Sequence, residues 1–141
     1  MKKIMIILRL IAKIERLALH LDEPSGCKSK RVDDDARIML KMEQWVRDKK
    51  WREDKTMQQI AGELGLSREE LSYFFRIHVG KHFLQWRKEL RIEDAKKMLL
   101  DDKSIPTLLI AESVGINDKS NFRRQFKEVT GYTPAQWRLK N

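Results

Sequence analysis

Between Lys119 and Lys127 the chain reads Lys-Ser-Asn-Phe-Arg-Arg-Gln-Phe-Lys. On a 3.6-residue period Phe122, Phe126 and Val129 recur at i, i+4, i+7 and form one apolar side. Lys119, Ser120, Asn121, Arg123, Arg124 and Lys127 are left to the polar side. The chemistry open to such a face is recognition, not bond cleavage. Arg and Lys match the O6 and N7 acceptors of guanine, and Asn matches the N6 and N7 edge of adenine. Cations also neutralise phosphates, which positions a protein without reading sequence. Arg123 and Asn121 are the expected base readers, Lys119 and Lys127 the expected phosphate contacts, and Ser120 a backbone contact. Arg124 is a further candidate DNA contact on this face. The competing reading is a solvated polar surface.

Such a helix needs a scaffold, and the preceding residues supply one. Ser104 with Pro106 reads as a helix start, because a hydroxyl can cap orphan N–H groups and a first-turn proline lacks only a donor that would go unpaired. Leu108, Leu109, Ala111 and Val114 make a short apolar helix, Gly115 ends it, and Asn117 or Asp118 can cap the next. This is a helix-turn-helix whose second helix is built for a DNA groove. The chain contains it twice. Thr56 with Gln59 forms a capping box for a helix over 57–64, Gly65 ends that helix, and Ser67 with Glu70 forms a second box. Leu71, Phe74 and Phe75 face the core. I-A-G-E-L-G-L-S matches I-A-E-S-V-G-I-N, a degenerate internal repeat.

In the first copy the groove-facing positions are Arg68, Glu69, Ser72, Tyr73 and Arg76. Arg68 and Arg76 are candidate phosphate clamps, and Tyr73 suits a thymine methyl or a phosphate. Glu69 can accept from cytosine N4, whereas Glu70 is explained by capping. Carboxylates beside phosphates are unfavourable, so the first copy either supplies discrimination while the second supplies affinity, or contributes little. Between the copies no Gly or Pro interrupts Lys81 to Lys103. About 18 helical residues there give roughly 27 Å, enough for a rigid spacer to hold two reading heads about one DNA turn apart.

The remaining chain is read more briefly. Ile38, Met42, Trp45 and Val46 form the apolar stripe of a helix starting near Ala36. Trp45, Trp51, Trp86 and Trp137 sit at core spacing. Residues 22–35 mix Pro, Gly, Ser and opposed charge runs and read as a linker. Residues 1–21 open with a basic pair and an apolar run, but Arg9 and Lys13 break that run and no small-residue cleavage site follows, so neither a signal peptide nor a membrane span is expected. Ile4, Ile7, Ile11 and Ile14, followed by Ala18 and Leu21, instead keep the spacing of a short coiled-coil seam, suited to a homodimer or to a helix that packs on a sensor domain.

Composition agrees. The 141 residues hold 30 Lys and Arg against 21 Asp and Glu, a net charge of +9 that favours a polyanionic partner. Residues 1–35 contribute +2 (8 basic, 6 acidic) and 36–141 contribute +7 (22 basic, 15 acidic). Cys27 is the only cysteine, which excludes an intramolecular disulfide and a cysteine-rich zinc site and fits a reducing cytoplasm. His20, His78 and His82 form no ligand set. No Gly-rich phosphate loop, acid pair or nucleophile constellation occurs, so the sequence reads as no enzyme, with no cofactor and no metal.

The string G-I-N-D-K-S-N-F-R-R-Q-F-K-x-x-x-G-Y-T-P-x-x-W-R resembles the C-terminal signature of the AraC/XylS family of bacterial transcription regulators, G-F-x-x-x-S-x-F-x-R-x-F-K-x-x-x-G-x-T-P-x-x-Y-R. Gly115, Ser120, Phe122, Arg124, Phe126, Lys127, Gly131, Thr133, Pro134 and Arg138 match, while Ile116 and Trp137 depart conservatively. Gly80, Phe83, Trp86, Arg91, Ala95, Leu99 and Leu100 continue the likeness, which spans about residues 37–140. The residues and the resemblance together lead to an all-α fold of two helix-turn-helix subdomains joined by a long central helix. Its expected parts are an amphipathic helix over 1–21, a linker over 22–35 and a DNA-binding domain over 36–141. Within that domain the first helix-turn-helix covers about 56–79, the joining helix about 81–100 and the second helix-turn-helix about 104–130. The expected function is sequence-specific binding of double-stranded DNA in the cytoplasm, on the nucleoid. The resemblance further implies transcription activation through RNA polymerase, an Arg124 that is often kept for structure, and an N-terminal sensor domain whose helices dimerise. The alternative is a truncated piece of a ligand-sensing regulator, acting through its N-terminal helix as a protein-interaction module with weak DNA binding.

Overall fold

Residues 26–140 are described in the computed structural model, with side chains from Asp34 onward. The Ile4, Ile7, Ile11 and Ile14 seam and His20 lie outside the described residues. Among the described residues all regular structure is helical: α1 (Gly26–Arg47), a 3₁₀ turn (Lys50–Arg52), α2 (Met57–Glu63), α3 (Arg68–Phe74) running into a π-helical turn (Phe75–Val79), α4 (Phe83–Asp101), α5 (Thr107–Ser113), α6 (Lys119–Thr130) and α7 (Pro134–Lys140). None of these helices is long and apolar enough to cross a membrane.

Helix α1 starts ten residues before the Ala36 expected from sequence, taking in residues 26–35 of the presumed linker. The sequence there lacks an apolar period, and that lack carries no penalty for the backbone. It does not break a helix, since no Gly or Pro follows Gly26 before Arg47. Opposite charges three residues apart, as in the Arg37–Asp34 ion pair, suit an exposed helical turn.

The described residues form two compact units. The first holds α1 up to Asp48 together with Thr56–Phe83; the second holds Lys49–Lys55 and everything from Leu84. In the first unit the expected stripe of Ile38, Met42, Trp45 and Val46 is buried, with Met39 added, alongside Ile60, Ala61, Leu64, Leu71, Phe74 and Phe75. Phe83 closes this core edge-on to Trp45 and Phe75, with ring centroids 5.7 and 5.0 Å away. Each such ring removed from water contributes roughly 1.5–3 kcal/mol. His78, read as an ordinary helix residue, is buried and bonded through Nε2 to Asp35 Oδ2 at 2.8 Å.

The second unit is built on Ile92, Ala95 and Leu99 of α4, Ile110, Ala111 and Val114 of α5, Ile116 of the turn, and Phe122 and Phe126 of α6. Trp137 is half-buried, packed edge-on against Phe126 at 6.0 Å. Helix α4, expected to stand between the two copies, lies within this second unit except for its first residue.

Candidate nucleic-acid interface

Each candidate reading helix begins with a side chain that fills orphan N–H groups. At α3 the Ser67 hydroxyl accepts from Glu70 N–H and the Glu70 carboxylate accepts from Ser67 N–H, a closed capping box. Thr56 and Gln59 do the same for α2. At α6 the expected choice between Asn117 and Asp118 resolves to Asp118, whose carboxylate accepts from Ser120 N–H at 2.8 Å and Asn121 N–H at 3.1 Å. Asp suits this end, because the N-terminus of a helix is partly positive. Ser104 is not the cap of α5. That helix starts at Thr107 behind Pro106 with no side-chain cap, and Ser104 instead donates its N–H and O–H to Asp102. The pair holds the Asp102 carboxyl below its ordinary range, through the Ser104 hydroxyl first and its backbone N–H second. The Ser-x-Pro spacing fits a turn as well as a cap, and Asp102 decides it.

The turns before the reading helices use left-handed glycines, Gly65 at φ 70° and Gly115 at φ 90°. In the first unit Lys41 Nζ donates to Leu64 O at 2.6 Å and so ties α1 to the end of α2. In the second unit the turn is held more tightly by a strap, Lys49–Lys55, which sequence reasoning missed. Arg91 of α4 is buried and donates from Nε to Trp51 O at 2.6 Å and from Nη2 to Glu53 O at 2.8 Å. Arg52 returns to Asp94 with bonds of 2.8 and 2.6 Å to one carboxylate oxygen. A Cβ on Gly115 would stand 2.3 Å from Arg52 O, so the strap backbone fills the space a side chain would need. Burial pushes the Arg91 guanidinium down to about 10, helped by Arg87 and opposed by Asp54, which leaves it charged at neutral pH. The signal that could have revealed the strap is Arg91 itself, a cation flanked directly by Leu90 and Ile92.

These supports fix what each helix shows to solvent. On the first, Arg68, Glu69, Ser72, Tyr73 and Arg76 are all exposed and line one open depression of about 470 Å³. The Arg76 guanidinium lies 5.5 Å from the Tyr73 ring centroid. On the second, Lys119, Ser120, Arg123, Arg124 and Lys127 are exposed at the same i, i+1, i+4, i+5, i+8 positions. Asn121 is set apart. It is half-buried, and its Oδ1 accepts from Arg124 Nη2 at 2.6 Å and Gln125 Nε2 at 3.1 Å. Leu108 and Leu109, counted with the apolar side of α5, are 41% and 52% exposed, so Ile110, Ala111 and Val114 alone carry that helix's core contact. A face of cations and hydrogen-bond donors on a capped, glycine-turned helix can bind a polyanion and meet base edges.

Comparison with known proteins agrees. A family profile described as a helix-turn-helix domain matches residues 60–140, more than half of the chain. The arabinose operon regulatory protein of Salmonella typhimurium is 37% identical over 79 residues, 56% of this chain and 28% of that protein. This chain therefore spans little more than a quarter of that relative's length. Among solved structures, the C-terminal domain of AraT, a response regulator from Geobacillus stearothermophilus, superposes with a TM-score of 0.68 at 26% identity, covering 74% of this chain and 85% of that one. The C-terminal domain of the two-component response regulator yesN from Fusobacterium nucleatum gives a TM-score of 0.62 at 30% identity over 67% of this chain and 92% of its own. The chain belongs to the AraC-type helix-turn-helix family of DNA-binding transcription regulators.

Proposed function

We propose that this chain binds double-stranded DNA sequence-specifically, placing α3 and α6 in two adjacent major-groove segments, and that it activates transcription. The observation that carries the reading is the repeated register, the same five positions exposed on both helices behind a cap and a left-handed glycine. Within it Arg123 reads a base edge, Lys119 and Lys127 bind phosphates, and Ser120 bonds the DNA backbone. On the first helix Arg68 and Arg76 clamp phosphates, Tyr73 packs on a thymine methyl, and Glu69 accepts from cytosine N4. The division into a first reading head over about 56–79, a joining helix over 81–100 and a second head over 104–130 belongs to the same proposal. Contact with RNA polymerase follows from the family's habit, and regulation of an operon is supported by the likeness to the Salmonella arabinose operon regulatory protein. The protein then acts on the nucleoid, in the cytoplasm.

The test is selection of bound duplexes from a random pool, followed by titration of the selected duplex at two salt concentrations. Two short blocks about 10 bp apart are expected. A single block makes the Glu69 helix a passenger. Binding with no enriched sequence, falling only with salt, removes sequence reading altogether. The homodimer seam of Ile4, Ile7, Ile11 and Ile14 has its own test. Sedimentation should show a concentration-dependent dimer that is lost when residues 1–25 are deleted, and a full chain that stays monomeric removes the seam.

A further inference from the structure

We propose that Asn121 is a positioning residue which sets the guanidinium of Arg124, and that Arg124 determines specificity at one base pair. This rests on the DNA-reading function above and narrows it, because Asn121 is otherwise the natural candidate for reading adenine directly.

The two reading helices differ at their third helical position. In α3 that position is Glu70, and its side chain turns back to the Ser67 N–H to close the capping box. In α6 it is Asn121, but Asp118 already holds both Ser120 N–H and Asn121 N–H with one oxygen. The Asn121 side chain turns the other way, toward residues three and four positions on, which are its neighbours on a helical surface. Its Oδ1 then accepts from Arg124 Nη2 at 2.6 Å and from Gln125 Nε2 at 3.1 Å.

A carbonyl oxygen has two lone pairs, and both are filled here. Two donors converging on one atom also fix which way the amide points, since the reverse orientation would set N–H against N–H. Bidentate recognition of adenine needs that same oxygen to accept from N6 while the amide nitrogen donates to N7. Asn121 cannot do this without releasing Arg124 or Gln125. The burial pattern agrees: Asn121 and Gln125 are half-buried, whereas Arg124 is exposed.

Arg124 gains what Asn121 gives up. An arginine side chain has much rotamer freedom to lose on binding, and a guanidinium already tethered through one N–H loses less. The rest of its five N–H groups remain to meet guanine O6 and N7.

The experiment measures Kd of the full chain for its selected duplex and for every single-base-pair variant, with wild type, Arg124→Ala, Asn121→Ala, Asn121→Asp and the Arg124→Ala/Asn121→Ala double variant. Arg124→Ala is expected to flatten the preference at one base pair. Asn121→Ala should weaken the preference at that same base pair by about 3- to 10-fold, the size expected for unfixing one long side chain. The double variant should be no worse than Arg124→Ala alone. Asn121→Asp keeps an acceptor, so it should keep the preference while weakening all duplexes alike through its added negative charge. Asn121→Ala acting at a different base pair, with losses that multiply in the double variant, would make Asn121 a reader and overturn the proposal. An unchanged profile in Asn121→Ala, with Arg124→Ala flattened, overturns it too. A wild-type chain with no base preference sinks the DNA-reading function itself, so the two failures are distinguishable. Circular dichroism of each variant, with Asn121→Asp as the conservative control, separates these outcomes from misfolding.

Discussion

Two helices in this chain present the same five positions to solvent and differ in almost everything those positions carry. On α6 they hold Lys119, Ser120, Arg123, Arg124 and Lys127, four cations and no carboxylate; on α3 and the π-helical turn that continues it they hold Arg68, Glu69, Ser72, Tyr73 and Arg76, two cations and one carboxylate. Length is not the difference, since 7 residues of α-helix and 5 of π-helix in the first match the 12 residues of α6. Affinity for a polyanion grows with the number of phosphates neutralised, and discrimination grows with directed hydrogen bonds. The repeat has thus divided one architecture into a strongly cationic head and a nearly neutral one. Their supports have diverged as well, because one turn rests on a flexible lysine and the other on a backbone strap.

The largest effects should come from those supports. Gly115→Ala forces a Cβ to 2.3 Å from Arg52 O in a left-handed backbone, whereas Gly65→Ala meets only Lys41 Nζ at 3.3 Å, the movable end of a side chain. Left-handed strain alone costs about 1–2 kcal/mol, which is the loss expected for Gly65→Ala. Overpacking adds about 1–3 kcal/mol, so Gly115→Ala should lose about 2–5 kcal/mol in denaturant unfolding. Equal losses at both glycines would mean that the strap yields and supports nothing.

The next contrast removes the clamps. Arg91→Met leaves Trp51 O and Glu53 O without charged donors, and at about 1.5–3 kcal/mol for each such bond the loss should be about 3 kcal/mol or more. Lys41→Met removes a single such bond at a half-buried site and should cost about 1.5 kcal/mol, the low end of that range. Thermal melts of both variants would rank them, and a reversed order would mean that the first head is the more tightly held.

The comparison also shows which parts of the chain are legible in sequence and which are not. Capping boxes, turn glycines and apolar periods are local, so Thr56, Ser67, Gly65 and Gly115 could be read from spacing alone, as could the ten exposed face positions. What failed to show was non-local or conditional. Arg91 meets residues about 40 positions earlier in the chain, and His78 meets Asp35 43 positions earlier. Ser104 lost its expected role to a carboxylate two residues before it, and the Asn121 carbonyl is occupied by bonds that spacing cannot rank. The start of α1 at Gly26 was hidden because residues 26–35 carry no apolar period to read.

Charge and reading can be separated next. Arg123→Ala should relax specificity at one base pair by about 1–3 kcal/mol, while Lys127→Ala should weaken every duplex alike and flatten the salt slope by about one unit. On the first head Glu69→Ala, which removes both the charge and the acceptor, decides between two roles. If Glu69 accepts from cytosine N4, the variant loses about 1–3 kcal/mol of discrimination at one position. If it is only a carboxylate beside phosphates, the variant binds all duplexes more tightly and discriminates as before. Identical profiles for Arg123→Ala and Lys127→Ala would dissolve the distinction between reader and anchor on α6.

The smallest contrast concerns the caps, where stability and binding should part company. Ser67→Ala and Asp118→Ala each lose N-terminal hydrogen bonds, at about 1 kcal/mol apiece. Their effects on DNA should nevertheless differ, because Asp118 is a negative charge at the entrance of the cationic helix and Ser67 is neutral. Asp118→Ser is the informative variant. It keeps a capping oxygen, so stability should change only by the charge–dipole contribution, about 0.3–1 kcal/mol. It also removes one repulsion from phosphates, so affinity should rise at low salt, and the gain should fade as screening shortens toward roughly 8 Å at physiological ionic strength. No such substitution is available at Ser67, where capping and charge are already separate. A low-salt gain in Asp118→Ser would therefore locate the phosphate backbone at the start of α6. An affinity that is unchanged at every salt concentration would place the DNA away from that end and leave Asp118 as a cap alone.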